Sequence, residues 1–304
     1  MADILPSGRP ADGRTRRAAT LAALRLIDVE HMGRERVIGC WELDGVLIDP
    51  GPQSSEHTLI EALGGEAPRA IVLTHIHLDH AGATGSLVRR WPDTPVYVHE
   101  RGAPHLIDPS KLWASASQLW PDDMDERWGE AVPVPEGNIT LVAEGDSIFG
   151  MRVAYTPGHA SHHVSYLHED SGYAFVGDVA GVRVPPVNRT LMPTPPPDID
   201  VEAWMESLAL VESWSPRAIA VTHFGAKDDV MATLDEARSE LRRWADVARD
   251  TDEDEFERRF HEDLEERIDD EAALASITQA SDPRLEYAGL ARYWRKLGDE
   301  RHPR

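Results

Sequence analysis

Three histidines and an aspartate crowd into six consecutive residues, His75-Ile76-His77-Leu78-Asp79-His80, directly after the apolar run Ala70-Ile71-Val72-Leu73-Thr74. A run of that kind suits a strand buried on both faces, so the cluster begins where a core strand ends. Imidazoles placed there must satisfy two ring nitrogens each, and a buried carboxylate must be paired. A metal ion meets that demand for all of them at once, and any fold for this chain must deliver further ligands to the same strand end. The candidates are His159 in Thr156-Pro157-Gly158-His159, Asp178 in Phe175-Val176-Gly177-Asp178 and His223 in Val221-Thr222-His223. Residues two apart on an extended strand end point the same way, so His75 and His77 can converge on one ion. A turn after His77 would swing Asp79 and His80 to a neighbouring position, where a second ion can sit. Gly158 and Gly177 let the backbone come close beside His159 and Asp178.

The remaining pattern supplies a scaffold. Apolar runs at 24–29, 37–43 and 46–48, separated by turn signals at Gly33 and Gly45, read as opening antiparallel strands. A helix is expected over 56–63, another over 82–91, and a third over 103–120 broken near Pro109. Further strands are expected at 96–98, 139–142, 151–155, 164–167, 173–176 and 218–221, with a helix over 201–211. The stretches Arg69-Ala70-Ile71-Val72-Leu73-Thr74-His75 and Arg217-Ala218-Ile219-Ala220-Val221-Thr222-His223 agree at five of seven positions, a hint of two related halves. A proline-rich loop, 184–198, is long enough to be functional. From about residue 227 the pattern becomes helical: Val230, Leu234, Ala237, Leu241, Trp244 and Ala248 mark one amphipathic face and Phe256, Phe260, Leu264 and Ile268 a second. Leu290, Trp294 and Leu297 mark a last helix. The acidic run 250–257 reads as a solvated linker or a helix start. The organisation is therefore a loose leader over 1–18, a catalytic domain over 19–226 and a helical extension over 227–304.

Composition narrows the setting. A net charge of −23 disfavours nucleic acid or an anionic membrane as partner, because a polyphosphate surface would be repelled. The lone cysteine, Cys40, excludes a disulfide framework and a thiolate-rich zinc site, and fits a cytoplasmic location. No apolar run approaches a membrane span. The expected partner is a small-molecule substrate, with a homo-oligomer left open. Neutral imidazole and carboxylate suit zinc, and also iron or manganese, and the residues alone do not select among them; two divalent ions are expected, with zinc the expected metal. Two ions a few ångströms apart would supply hydroxide near neutral pH and polarise the substrate oxygen, which makes hydrolysis the expected reaction.

With the motifs His-x-His-x-Asp-His at 75–80, Pro-Gly-His at 157–159, Gly-Asp at 177–178 and Thr-His at 222–223, the chain resembles the metallo-β-lactamase-fold superfamily over roughly residues 20–226. The resemblance implies an α/β architecture, an αββα sandwich of two mixed sheets with metals at the sheet edge, followed here by a helical C-terminal extension. It implies that His75, His77 and His159 hold one metal, that Asp79, His80 and His223 hold the other, and that Asp178 bridges them. It also implies a dinuclear hydrolase using a metal-bridging hydroxide, with Asp79 as the catalytic residue that orients the nucleophile and relays a proton. Thr156-Pro157-Gly158-His159 with a bridging aspartate looks most like the glyoxalase II and lactonase branches, so the expected substrate is a small ester, thioester or lactone. The alternatives are a mononuclear non-haem iron sulfur dioxygenase using only His75, His159 and Asp178, and a non-catalytic binding protein on the same scaffold.

His163, four residues after His159, is expected to orient a ligand from behind. His162 receives no role, and His57, His99, His105, His168, His261 and His302 read as structural or surface residues. Arg183 and Arg189 flank the proline-rich loop and could receive a substrate carboxylate, although ordinary surface arginines are the expectation. Tyr155, Tyr166, Trp113 and Trp120 are expected in the core.

Overall fold

The computed structural model describes residues 23–185, 189–266, 268 and 270–301; the expected leader and His302 lie outside them. The first sheet has the order β1 (Leu24–Asp28), β2 (Gly39–Leu43), β3 (Val46–Ile48), β4 (Ala70–Val72), β5 (Val96–His99) and β6 (Ile139–Val142). Its first three strands pair antiparallel and its last three join in parallel register. The second sheet runs from β12 (Gly225–Lys227) through β11 (Ala218–Val221), β10 (Tyr173–Phe175), β9 (Val164–His168) and β8 (Met151–Tyr155) to β7 (Ser147–Ile148). Only β10 and β11 are parallel there.

Period-two alternation decides which face of each strand meets which layer. Trp41, Val46, Ile48, Ala70 and Val72 point inward against Tyr166, Phe175 and Ala220 of the other sheet. Leu47, Ile71, Leu73 and Val98 point outward, under the first helical layer. That layer comprises α1 (Glu56–Ala62), α2 (Leu78–Ala81), α3 (Thr84–Arg90), α4 (Ala103–Ile107), α5 (Ser110–Leu119) and α6 (Met124–Trp128). The break near Pro109 falls between α4 and α5 as expected, while α6 has no counterpart in the sequence pattern. The two-sheet sandwich with outer helices is the expected αββα arrangement.

On the far side, the second sheet presents Leu167, Ala174, Ile219 and Val221 to α7 (Val201–Ser213) and the C-terminal helices. These are α8 (Val230–Asp250), α9 (Glu253–Glu265), α10 (Glu271–Ala280) and α11 (Pro283–Arg301). Leu234, Leu241, Trp244, Phe256, Phe260, Leu264 and Leu290 share one continuous core with that sheet. The acidic run does begin a helix: Asp252 caps α9 by accepting from the Glu255 amide at 3.0 Å. The α10 helix is not foreshadowed by the apolar spacing. Among the described residues no helix is long and apolar enough to cross a membrane.

The arginines beside the proline-rich loop are neither at the surface nor at the cavity. Arg183 is buried and pairs with Glu236 at 2.8 Å, and Arg189 pairs with Glu240 at 2.6 Å. They tie the loop to α8, which overturns both the surface and the substrate-carboxylate readings. Of the four expected core aromatics, Tyr166 is fully buried, whereas Trp120 lines the cavity described below.

Candidate metal centre

Strand ends at the rim of the sandwich bring the seven expected donors together. His75 and His77 leave β4, Asp79 and His80 sit on α2, His159 follows β8, Asp178 follows β10 and His223 follows β11. His75, His77 and His159 form one cluster and Asp79, His80, Asp178 and His223 a second, with donor atoms inside each cluster all within 4.8 Å of one another. Asp178 lies between them: its Oδ2 is 3.4 Å from His159 Nε2 and its Oδ1 is 3.3 Å from His80 Nε2. Asp79 Oδ2 is 3.2 Å from His223 Nε2.

The glycines next to two of these donors are required. Gly158 has φ +129°, and a Cβ there would come within 2.4 Å of the Trp204 backbone. Gly177 has φ +48°, and its Cβ would lie 2.4 Å from Thr74 Oγ1 and 2.7 Å from His163 Nε2. Helix α7 can approach His159 so closely only because residue 158 has no side chain.

Hydrogen bonds on the outward side set each imidazole's tautomer. His80 Nδ1 faces Asp49 Oδ2 at 2.8 Å, His159 Nδ1 faces the Pro193 carbonyl at 2.9 Å, and His223 Nδ1 faces the Val37 carbonyl at 2.7 Å. None of these oxygens can donate, so Nδ1–H must, and each Nε2 is turned inward as the atom left for a metal. His75 obeys the same logic one step removed. Thr74 Oγ1–H donates to Asp49 Oδ2 at 2.6 Å, so the hydroxyl oxygen accepts from His75 Nδ1 at 3.0 Å. His77 turns its Nδ1 inward, 2.9 Å from His159 Nε2. His75 Nε2, His80 Nε2 and Asp178 Oδ1 are buried with no hydrogen-bond partner among the described residues. Nitrogen and carboxylate donors converging from several strand ends, their outward atoms already bonded, are what a divalent cation fills.

Electrostatics divides the donors by kind. Burial, reinforced by the neighbouring imidazoles, holds His75 far below the usual histidine range, and burial brings His77 down to about 4. Burial opposes charge on Asp79 and Asp178 as well, but His80 foremost holds both well below the usual carboxylate range. For His80 the surrounding Asp178, Asp79 and Asp49 outweigh burial and raise it. Anionic carboxylates therefore face two kinds of imidazole: His80 and His223, whose charge they favour, and His75 and His77, which burial keeps neutral.

Asp49, which carries no motif in the sequence, organises the back of the site. Its Oδ1 accepts from the Thr74 amide at 2.8 Å, and its Oδ2 accepts from Thr74 Oγ1, His80 Nδ1 and Thr222 Oγ1 at 2.6, 2.8 and 3.2 Å. With both oxygens engaged it anchors donors instead of joining them. The repeated Thr-His endings of β4 and β11 thereby meet on one carboxylate, which is the physical content of the 69–75 and 217–223 similarity. The only sequence signal was an acid directly after a buried strand. His163 stacks on His75, with ring centroids 4.9 Å apart, and its Nδ1 contacts Thr156 Oγ1 at 3.0 Å. Its ring packs against His75, and among the described residues it makes no hydrogen bond to any of the seven donors.

A cavity of about 920 Å³ opens over the cluster. It is lined by His77, Asp79, His159, Asp178 and His223, by Leu112, Leu119, Trp120 and Trp128, and by residues of α10 and the start of α11. Of the histidines given no role, His105 and His162 line it, whereas His57 is exposed.

The metallo-beta-lactamase superfamily model matches residues 42–223. The chain belongs to the metallo-beta-lactamase superfamily. That membership places it among metallohydrolases. The chain is 32% identical over 196 residues to the metallo-beta-lactamase fold-containing protein ST1585 of Sulfurisphaera tokodaii, covering 61% of this chain and 70% of that protein. A crystal structure of ST1585 superposes with a TM-score of 0.64 at 24% identity, over 88% of this chain and 98% of that one. A hydroxyacylglutathione hydrolase of Xylella fastidiosa is 34% identical over 138 residues, 44% of this chain, and the match spans only 40% of that relative.

Proposed function

We propose that this superfamily member is a dinuclear metal-dependent hydrolase of a small ester, thioester or lactone. The observation that supports it most is the convergence of His75, His77 and His159 in one cluster and Asp79, His80 and His223 in a second, with Asp178 between them. His75, His77 and His159 would hold one divalent ion, Asp79, His80 and His223 the other, and Asp178 would touch both, with zinc favoured by the nitrogen and oxygen donors. When bound, such a pair lowers the pKa of water and polarises the scissile acyl oxygen. Asp79 is the donor-set carboxylate with the greater access to the cavity, 25% exposed against 4% for Asp178. It orients the attacking water and takes its proton as the oxygen adds to the acyl carbon, then returns the proton to the departing alkoxide or thiolate. The nonpolar wall of Leu112, Trp120 and Trp128 receives the organic part of the substrate and excludes water from the reacting bond.

The hydroxyacylglutathione hydrolase likeness supports including thioesters among the bonds cleaved. Convergence of Asp79, His80 and His223 with His75, His159 and Asp178 favours hydrolysis over the mononuclear iron oxygenase, which needs only the latter three. The catalytic unit is assigned to residues 19–226 and the helical wall over the cavity to 227–304. Metal analysis of purified protein followed by a panel of p-nitrophenyl esters, lactones and glutathione thioesters tests the reading. Two metal equivalents and chelator-sensitive turnover are expected, with turnover abolished in His77→Ala and Asp178→Ala while the fold persists. Wild-type turnover in either variant would remove the mechanism.

A further inference from the structure

His31 occupies a short helical turn (His31–Gly33) between β1 and β2, is 1% exposed, and has no hydrogen-bond partner at either ring nitrogen among the described residues. The ring stacks on Trp128 at 5.5 Å and 17°, and it lines the same cavity as Asp79 and His223. Nothing in that packing calls for nitrogen, because a phenyl ring would stack equally well. Buried polar atoms without partners are rare and costly. The backbone adds a second cost: Glu30 and Met32, on either side, both have left-handed φ of 48° and 52°, a conformation non-glycine residues seldom hold. Strain and unmet hydrogen bonding thus coincide on one side chain at the wall of the site. Its position is pinned from the extension, where Gln279 Nε2 of α10 donates to the His31 carbonyl at 3.2 Å.

Burial lowers His31 to about 4, so at neutral pH the ring offers one N–H and one lone pair. The whole side chain is covered in the free protein, so a ligand reaches a ring nitrogen only by displacing part of the wall that covers it. Beside it, Trp120 meets Trp128 edge-on at 5.0 Å, and Leu112 and Leu119 complete a nonpolar slot.

We propose that His31 is a substrate-binding residue: the acyl part of the substrate is a planar, largely nonpolar group lying along the Trp120 and Trp128 wall, and a hydroxyl or amide on it supplies the hydrogen bond His31 lacks. The inference rests on the hydrolase reading for its substrate and goes beyond it in naming what selects the acyl group. A group that both donates and accepts matches a neutral imidazole, and a site built around such a bond discriminates against the analogue without it.

The test compares wild type, His31→Phe, which keeps the ring and loses both nitrogens, and His31→Gln, which restores a donor and an acceptor. Each is assayed on p-nitrophenyl phenylpropanoate and its p-hydroxyphenyl counterpart, and each is titrated with the free p-hydroxyphenylpropanoic acid by tryptophan fluorescence. His31→Phe should melt no lower than wild type and lose about tenfold in kcat/KM on the hydroxylated ester, mainly through KM. It should be unchanged on the plain ester and bind the free acid about tenfold more weakly, with partial recovery in His31→Gln. Equal kcat/KM and equal acid binding in wild type and His31→Phe overturn the proposal, as does a fall of several degrees in the melting temperature of His31→Phe. If wild type turns over neither ester nor any member of the wider panel, the hydrolase reading fails, and the acid titration still decides the fate of His31.

Discussion

Replacing Asp49 separates the stability of this site from its capacity for metal. In Asp49→Ala the Thr74 amide, the Thr74 and Thr222 hydroxyls and His80 Nδ1 all lose their acceptor. The hydroxyls can rotate and His80 can move its proton to Nε2, but the buried amide has no alternative. With about 1–3 kcal/mol for each buried donor left unpaired, and partial relief for the rest, a loss of about 2–4 kcal/mol in the metal-free protein is expected. Asp49→Asn is more telling. Its carbonyl can still accept from the Thr74 amide, while its NH2 faces His80 Nδ1, which must then accept and carry its proton on Nε2. The inward lone pair disappears with little loss of packing. Asp49→Asn should therefore keep most of its stability and bind one metal equivalent about 10–100-fold more weakly. Urea denaturation of metal-free protein and competition against a fluorescent chelator measure the two effects. Wild-type affinity for both equivalents in Asp49→Asn would refute the tautomer argument.

Three further outcomes follow from the packing. Burial raises Glu286 to about 7 despite hydrogen bonds from Ser281 and Thr194. Its contribution to stability is thus fully present below its ordinary value of 4.5 and is lost as pH rises through about 7, up to roughly 3 kcal/mol. Glu286→Gln should flatten that part of the profile, read as urea midpoints across this range; an unchanged slope would refute the assignment. Gly158→Ala should destabilise by about 2 kcal/mol or more and lower metal content, because its Cβ meets the Trp204 backbone at 2.4 Å; an unshifted melting temperature would contradict the required close approach. Arg183→Ala should cost about 2 kcal/mol by removing the cation from Glu236, which keeps its bond from Thr190 Oγ1, with no change in kcat/KM on anionic esters; a selective loss on those esters would restore the substrate-carboxylate role.

Ligand chemistry is local enough to be read along a chain. His75, His77, Asp79 and His80 announce themselves because core packing alone rarely gathers so many ionisable groups beside a buried strand, and the amphipathic spacing of Leu234, Leu241 and Trp244 likewise declares a helix. Asp49 and His31 carry no such local sign. Each is one polar residue near the end of an ordinary strand, and its meaning comes from partners far along the chain, Thr222 for the first, Trp128 and Gln279 for the second. The misreading of Arg183 and Arg189 has the same origin, since their acids lie on α8 and α9.

By itself the sequence determined which side chains could serve as donors, which strands are buried and that the C-terminal region is helical, because those properties depend on residue type and on spacings of a few residues. Only the tertiary structure decided which ring nitrogen faces inward, which acid anchors and which donates, and that α10 and α11 wall the cavity. Those depend on distances between segments that the chain order leaves free, and a hydrogen bond changes its role within a fraction of an ångström and a few tens of degrees.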